Sequence, residues 1–341
     1  MTDRSGAVDV PGPPAPASVP GKRGPGRWIK PVVSLSLYAL IFWFTDVSAI
    51  LRRLAGARFE YVAAGILLYG AGQALSAWRW QLLTRPLSLV VSYRRLLSFY
   101  FIGMFFNLFL PTIVGGDAVK AWLLARETGA VARSTVSVFM ERNLGLLALL
   151  TIGIAAAVWA PPVEILGVSL VTLTLLLFGG FAAVNLVLLN RAAYVLADRV
   201  IAATPLARWR PRAASLYQAI TPYASAAREI GLATLLSFAF QAIVIGVVFL
   251  NTRALHHEFP VSVVAVFVPL ISLGGMLPVS VNGLGVREAL YVLLFGRLGA
   301  SSELAIALAL LYLVVTFVAS LPGGVLYAMQ GVRVRPALRP E

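Results

Sequence analysis

Apolar stretches long enough to cross a bilayer recur along this 341-residue chain and restrict its fold more than any other feature. A spanning helix needs about 20 mainly apolar residues. Six segments qualify: about 28–45, 61–83, 134–160, 163–189, 230–250 and 302–326. No water reaches hydrocarbon to satisfy the backbone, so continuous apolar runs of this length become helices. Composition agrees: 59% of residues are hydrophobic and 12% charged, at a mean hydropathy of +0.86. A soluble domain carries about 25% charged residues. The fold class that follows is an all-α polytopic membrane protein.

Two further apolar stretches, 96–126 and 260–297, are interrupted in the middle. The first interruption reads "LPTIVGGDAVKAW" from Leu110 to Trp122, and the second reads "LPVSVNGLGVREA" from Leu277 to Ala289. They share Leu-Pro, Val114/Val281, Gly116/Gly283, Val119/Val286 and the basic pair Lys120/Arg287, each pair 167 residues apart as Pro111 and Pro278 are. Proline lacks an N–H and glycine allows backbone that other residues resist, so each stretch reads as a broken, re-entrant helical hairpin with its proline at the tip. The same offset maps segment 61–83 onto 228–250 and 134–160 onto 301–327. Three crossings separate the two breaks, an odd number, which makes the repeat inverted. The chain thus divides into a transmembrane domain, 28–330, with repeat halves at about 28–160 and 163–326. Broken helices in corresponding positions of inverted halves point to a substrate site near the midplane.

Residues 1–27 contain "VPGPPAPASVPGKRGPG", with too little apolar side chain to fold, and read as a disordered tail. Residues 331–341 form a basic tail. Most of the 28 Lys and Arg residues fall on one side if both termini are cytoplasmic, as the positive-inside rule asks. Arg52, Arg53 and Arg58 violate that pattern and suggest an interfacial helix, while Trp78-Arg79-Trp80 reads as an interfacial anchor. The long segment 191–228 reads as a cytoplasmic loop. The net charge of +14 then serves anionic headgroups, not nucleic acid, for which no aromatic-basic module is present. Without cysteine there is no disulfide, iron–sulfur cluster or thiol chemistry, and the adjacent His256 and His257 make a poor metal site. No GxxxxGK[ST] phosphate loop occurs, so no ATP hydrolysis is expected and any drive comes from gradients or coupled synthesis; no cofactor is expected.

The breaks suggest their own chemistry. A helix restarting near Gly116 or Gly285 presents free N–H groups and a partial positive charge that suit an anion. Lys120 and Arg287 lie close to those restarts and add full charges, so a phosphate headgroup is the natural ligand. The alternative is local pairing, Lys120 with Asp117 and Arg287 with Glu288. "MERNLG" places Glu141, Arg142 and Asn143 within another span. Intramembrane ionisable groups seek partners, so Glu141 is expected to reach Lys120 or Arg287, and Arg142 to reach Asp117 or Glu288. Gln73 and Gln241 complete the polar inventory.

With "FFNLFLPTIVGGDAVKAWLLAR", "ERNLGLLALL" and "NGLGVREALYVLLF" in that order, the sequence resembles the flippase-like transmembrane region of lysylphosphatidylglycerol synthases and its stand-alone relatives over roughly 28–330. The resemblance implies movement of a lipid between leaflets of a bacterial cytoplasmic membrane. It implies membrane phospholipid, or a polyprenyl- or hopanoid-type lipid, as partner, with lipid-synthesis enzymes nearby. The functional residues it implies are Asn107, Gly115, Gly116, Asp117, Lys120, Glu141, Arg142, Gly283, Gly285, Arg287 and Glu288, to which Asn282 of the second break is added. The soluble aminoacyltransferase domain of the full synthases is not seen, so no enzymatic activity is expected. The leading function is therefore a flippase for a phosphate-bearing lipid. The alternatives are a membrane-embedded transferase acting on a lipid-linked sugar, with Asp117 or Glu141 as base, and a non-catalytic subunit of a lipid-synthesis complex.

Overall fold

A computed structural model describes residues 45–329 and scattered positions from 33 to 43, leaving aside 111–113, 160–163, 166–167, 203, 205–206, 209 and 278. It is helical almost throughout. Helix α1 (Val47–Ala55) starts where the Asp46 carboxylate accepts the N–H groups of Ser48 at 2.8 Å and Ala49 at 3.1 Å. It buries Ile50 and leaves Leu51 and Arg52 exposed, the two-faced helix expected of the arginine cluster. Four helices follow in the order long, short, short, long: α2 (Phe59–Thr84), α3 (Tyr93–Asn107), α4 (Gly115–Thr128) and α5 (Val131–Ala157). A minimal antiparallel pair, β1 (Glu164–Ile165) with β2 (Val168–Ser169), precedes α6 (Leu170–Leu189), α7 (Arg191–Ala202) and α8 (Arg210–Ile220). The long, short, short, long order then returns in α9 (Ala227–Ala254), α10 (Val261–Gly275), α11 (Val286–Gly296) and α12 (Ser302–Met329).

Among the described residues, four helices are long and apolar enough to cross a membrane: α5, most of α6, α9 and α12. They correspond to the expected segments 134–160, 163–189, 230–250 and 302–326. Segment 61–83 forms α2, which matches their length at 26 residues but turns Gln73, Ser76 and Arg79 inward. Segment 28–45 lies largely outside the described residues, as do both break prolines, Pro111 and Pro278. Segment 191–228 is not the loop the sequence suggested. Its alanines and straight-chain residues favour helix, and α7 joins α8 through Tyr194 stacked on Tyr217 with centroids 4.0 Å apart.

Each short pair forms an antiparallel hairpin. Gly103 of α3 faces Gly116 and Lys120 of α4, and Gly274 and Gly275 of α10 face Leu290 and Arg287 of α11. The long helices α2 and α9 are themselves antiparallel neighbours, with Gly72 against Phe240 and Ile243 and Gly65 against Val247 and Asn251. Packing between the halves is reciprocal: α3 lies on α12, and α10 lies on α5. Two buried clusters result, one around Trp80, Phe99 and Leu124, the other around Phe267, Phe295 and Leu308.

Lipid tails are as apolar as leucine, so helices in a bilayer associate through close backbone approach and polar contacts. The junction of α3 with α12 shows the first of these. A Cβ on Gly323 would lie 1.9 Å from the Phe101 carbonyl oxygen, and one on Gly324 would lie 2.7 Å from the Phe105 ring. Replacing Gly323 with alanine should therefore force α12 away from α3 and remove about 1–3 kcal/mol of stability, read as earlier melting in detergent. Gly179→Ala on α6, where an added Cβ meets nothing within 4 Å, should melt like the parent.

Candidate functional site

A cavity of about 350 Å³ lies inside the helix bundle, lined by residues of both halves. It holds Asn107, Gly116, Asp117, Lys120, Glu141, Arg142, Asn282 and Arg287 on its wall. Of the residues singled out in sequence, Gly115, Gly283, Gly285 and Glu288 are not on that wall; they shape the breaks behind it. The two breaks touch, since Asn282 Nδ2 donates to the Asn107 carbonyl oxygen at 3.1 Å.

Most of the charge is committed internally. Glu141, 2% exposed, accepts from Arg79 Nη2 at 2.8 Å, Tyr100 Oη at 2.8 Å and Lys120 Nζ at 2.9 Å. Lys120 also reaches Asp117 Oδ1 at 3.1 Å, and its ammonium sits 4.2 Å from the centre of the Tyr100 ring. Asp117 is completed by Arg142, whose Nε donates at 2.8 Å and whose Nη2 meets the same oxygen. Both expected partnerships, Glu141 with Lys120 and Arg142 with Asp117, are present. Asn143 bonds Asn185 and ties α5 to α6.

Arg287 differs. Among the described residues no carboxylate lies within ion-pair distance of it; its guanidinium sits over the Tyr312 ring at 5.8 Å. The neighbouring Glu288 is fully buried, and its Oε2 accepts the Gly285 N–H at 2.7 Å. Likewise the Gly116 N–H is taken by Asn107 Oδ1 at 3.2 Å. One N–H at each restart, that of Gly116 and that of Gly285, is thus taken by a side chain of the break itself, which folds back as a cap.

Arg79 belongs to this cluster, whereas the sequence placed it in an interfacial anchor. It is 4% exposed, pairs with Glu141 and donates to Ser237 Oγ at 3.1 Å; Trp80 is buried too, with its indole N–H on Ser137 Oγ at 3.1 Å. Only Trp78 is exposed, as an anchor would be. The signal was available: Arg79 lies inside an apolar segment, where a charge needs a partner. Tyr69, Tyr100 and Tyr312 also line the cavity and were not singled out.

The pairing yields a stability prediction. Glu141→Ala takes from Arg79 its carboxylate and leaves Lys120 to Asp117, which should cost about 3–5 kcal/mol; Lys120→Ala breaks two buried contacts but leaves Glu141 with Arg79 and Asp117 with Arg142, and should cost somewhat less, though more than Arg287→Ala. Arg287→Ala breaks no ion pair and should lose at most its ring contact, about 1–2 kcal/mol. Detergent melting of the three variants gives the ranking, and Arg287→Ala falling as far as Lys120→Ala would contradict it.

Residues 27–323 match the family described as the lysylphosphatidylglycerol synthase TM region. A UPF0104 membrane protein of Pyrococcus horikoshii is 22% identical over 160 residues, which is 44% of this chain and 48% of that protein. The matched segment therefore spans about half the length of that relative. The family match covers nearly all of the helical bundle and both breaks, and the multi-pass membrane chain belongs to the lysylphosphatidylglycerol synthase transmembrane-region family.

Proposed function

We propose that the protein moves a phosphate-bearing lipid across the cytoplasmic membrane, with the headgroup passing through the central cavity. The observation that carries this reading is the charge on the cavity wall. Arg79, Lys120, Arg142 and Arg287 face only Asp117 and Glu141 among the described lining residues, a formal excess of two positive charges. A cavity with uncompensated cations inside a membrane protein suits an anion, and Arg287 is the cation left over for it. A guanidinium grips a phosphate through two parallel hydrogen bonds. Lys120, already shared between two carboxylates, holds the hairpin in place.

The inverted repeat supports the same reading. Helices α2 and α9, equivalent at the 167-residue offset, run antiparallel beside one another, and the exchange of packing between α3/α12 and α10/α5 is what a two-fold axis in the membrane plane would produce. Under that symmetry both hairpins are re-entrant and enter from opposite sides with both termini cytoplasmic. Sites of inverted-repeat transporters lie where the broken elements converge. The Asn282–Asn107 contact joins those elements here. A transferase reading fares worse, since Asp117 and Glu141, the carboxylates among the described lining residues, are both occupied as ion-pair acceptors.

The test is lipid flipping in liposomes carrying phosphatidylglycerol labelled on its acyl chain. A charge-assisted hydrogen bond is worth about 1.5–3 kcal/mol, so Arg287→Ala should slow flipping about ten- to hundredfold while its melting temperature stays near the parent's. Parental flipping by a folded Arg287→Ala protein would sink the proposal.

A further inference from the structure

Helix α7 divides cleanly into a covered side and a bare one. Arg191, Ala192, Val195, Leu196, Arg199 and Val200 are exposed, whereas Ala193, Tyr194, Ala197 and Asp198 are half-buried. At about 100° per residue the exposed six fall on one side in two adjacent rows. One row reads Arg191, Val195, Arg199 and the other Ala192, Leu196, Val200. The covered side is held by α8: Tyr194 stacks on Tyr217, and Asp198 accepts from Arg210 Nε at 2.8 Å. Asp198 is the one acid of α7, and among the described residues neither Arg191 nor Arg199 has a carboxylate within ion-pair distance. Between these two arginines lies a notch of about 470 Å³, floored by Val195 and Leu196.

Large apolar side chains grouped on a bare face mark a surface that meets something apolar. Leu196 is 64% exposed and Val200 60%. The place of α7 in the chain says what they meet. The apolar run of α6, Val171–Leu188, has 18 residues. At about 1.5 Å per residue it covers about 27 Å, close to the roughly 30 Å of a hydrocarbon core. Helix α7 begins at Arg191, three residues beyond that run, so its first turn stands at the hydrocarbon edge. An apolar row beside a cationic row suits the boundary between acyl chains and anionic headgroups. Leucine and valine enter the chains, and the long arginine stems carry their guanidinium groups out to the phosphates.

We infer that α7 is an interfacial helix that binds the phosphates of anionic phospholipids through Arg191 and Arg199, in the leaflet where α6 ends. The site lies apart from the central cavity, since no described residue lining that cavity belongs to α7. It therefore stands independently of the transport reading.

The chain has no cysteine, so Leu196→Cys carries a single fluorophore without background. The full chain is placed in nanodiscs of mixed phosphatidylcholine and phosphatidylglycerol. There the label should be quenched by a nitroxide on a lipid acyl chain and shielded from aqueous iodide. Val200→Cys should repeat this at a second surface position. Quenching titrations with the nitroxide carried by phosphatidylglycerol, then by phosphatidylcholine, read which lipid gathers beside the label. Phosphatidylglycerol should be favoured at least about fivefold, the ratio equivalent to about 1 kcal/mol for one arginine near an anionic surface. Adding Arg191→Gln and Arg199→Gln keeps the apolar row, so acyl-chain quenching should persist while the preference falls to about one. Labels open to iodide and untouched by lipid nitroxide would put α7 in water and overturn the inference. Labels shielded from both quenchers would put a protein on this face, with the same consequence. Equal quenching by the two nitroxide lipids while both arginines are present would also overturn it, as would a preference that survives their replacement.

Discussion

One carboxylate ties four helices together. Glu141 projects from α5 and receives Arg79 from α2, Tyr100 from α3 and Lys120 from α4, all within 2.9 Å. Each of these groups would be expensive alone in hydrocarbon, and the charges are tolerated because every one has an opposite within reach. The cluster couples to the surrounding bundle through Arg79 on Ser237 of α9 and Trp80 on Ser137 of α5. The first hairpin cannot leave α2 and α5 without stranding charge, so its position, and the cavity wall it forms, follow from this node.

The second half has the same helix order but not the same chemistry. At the 167-residue offset, Arg79 corresponds to Gly246, Tyr100 to Phe267, Asp117 to Leu284, Glu141 to Leu308 and Arg142 to Ala309. Only Lys120 keeps its character, as Arg287. Every partner that neutralises Lys120 has an apolar counterpart, and Phe267 and Leu308 are each 1% exposed within the second core. At that offset Arg287 stands where the first half has a lysine paired with two carboxylates, and among the described residues no carboxylate lies within ion-pair distance of Arg287. The long, short, short, long helix order recurs, whereas the charged partners do not, and Arg287 adds to the excess positive charge of the cavity wall.

Much of this was legible in the sequence. Apolar length and the two breaks located α5, α6, α9 and α12 and the interruptions after Asn107 and Gly275, because hydrocarbon leaves backbone no other solution. The rule that buried charge seeks opposite charge matched Glu141 to Lys120 and Arg142 to Asp117. Three features were missed. Arg79 was masked by its tryptophan neighbours, which imitate an interfacial anchor although only Trp78 faces outward. The caps on Gly116 and Gly285 depend on where the Asn107 and Glu288 side chains turn, which spacing alone does not set. Segment 191–228 lacked a continuous apolar run, yet helical propensity and a tyrosine stack shape it into α7 and α8.

The state of Glu288 bears on why Arg287 has no carboxylate within ion-pair distance among the described residues. The two are sequence neighbours, so a carboxylate was available within one residue of the guanidinium. Successive helical residues point about 100° apart, and that rotation carries Glu288 into full burial while Arg287 remains half-exposed on the cavity wall. Glu288 closes the first turn of α11 by accepting the Gly285 N–H, at a backbone held left-handed with φ +84° and pressed against Leu37. The break therefore needs its acid for its own geometry, and the arginine one position earlier is turned into the cavity without it. A turn that fixes the end of the helix and a cation that faces the cavity arise from the same two residues.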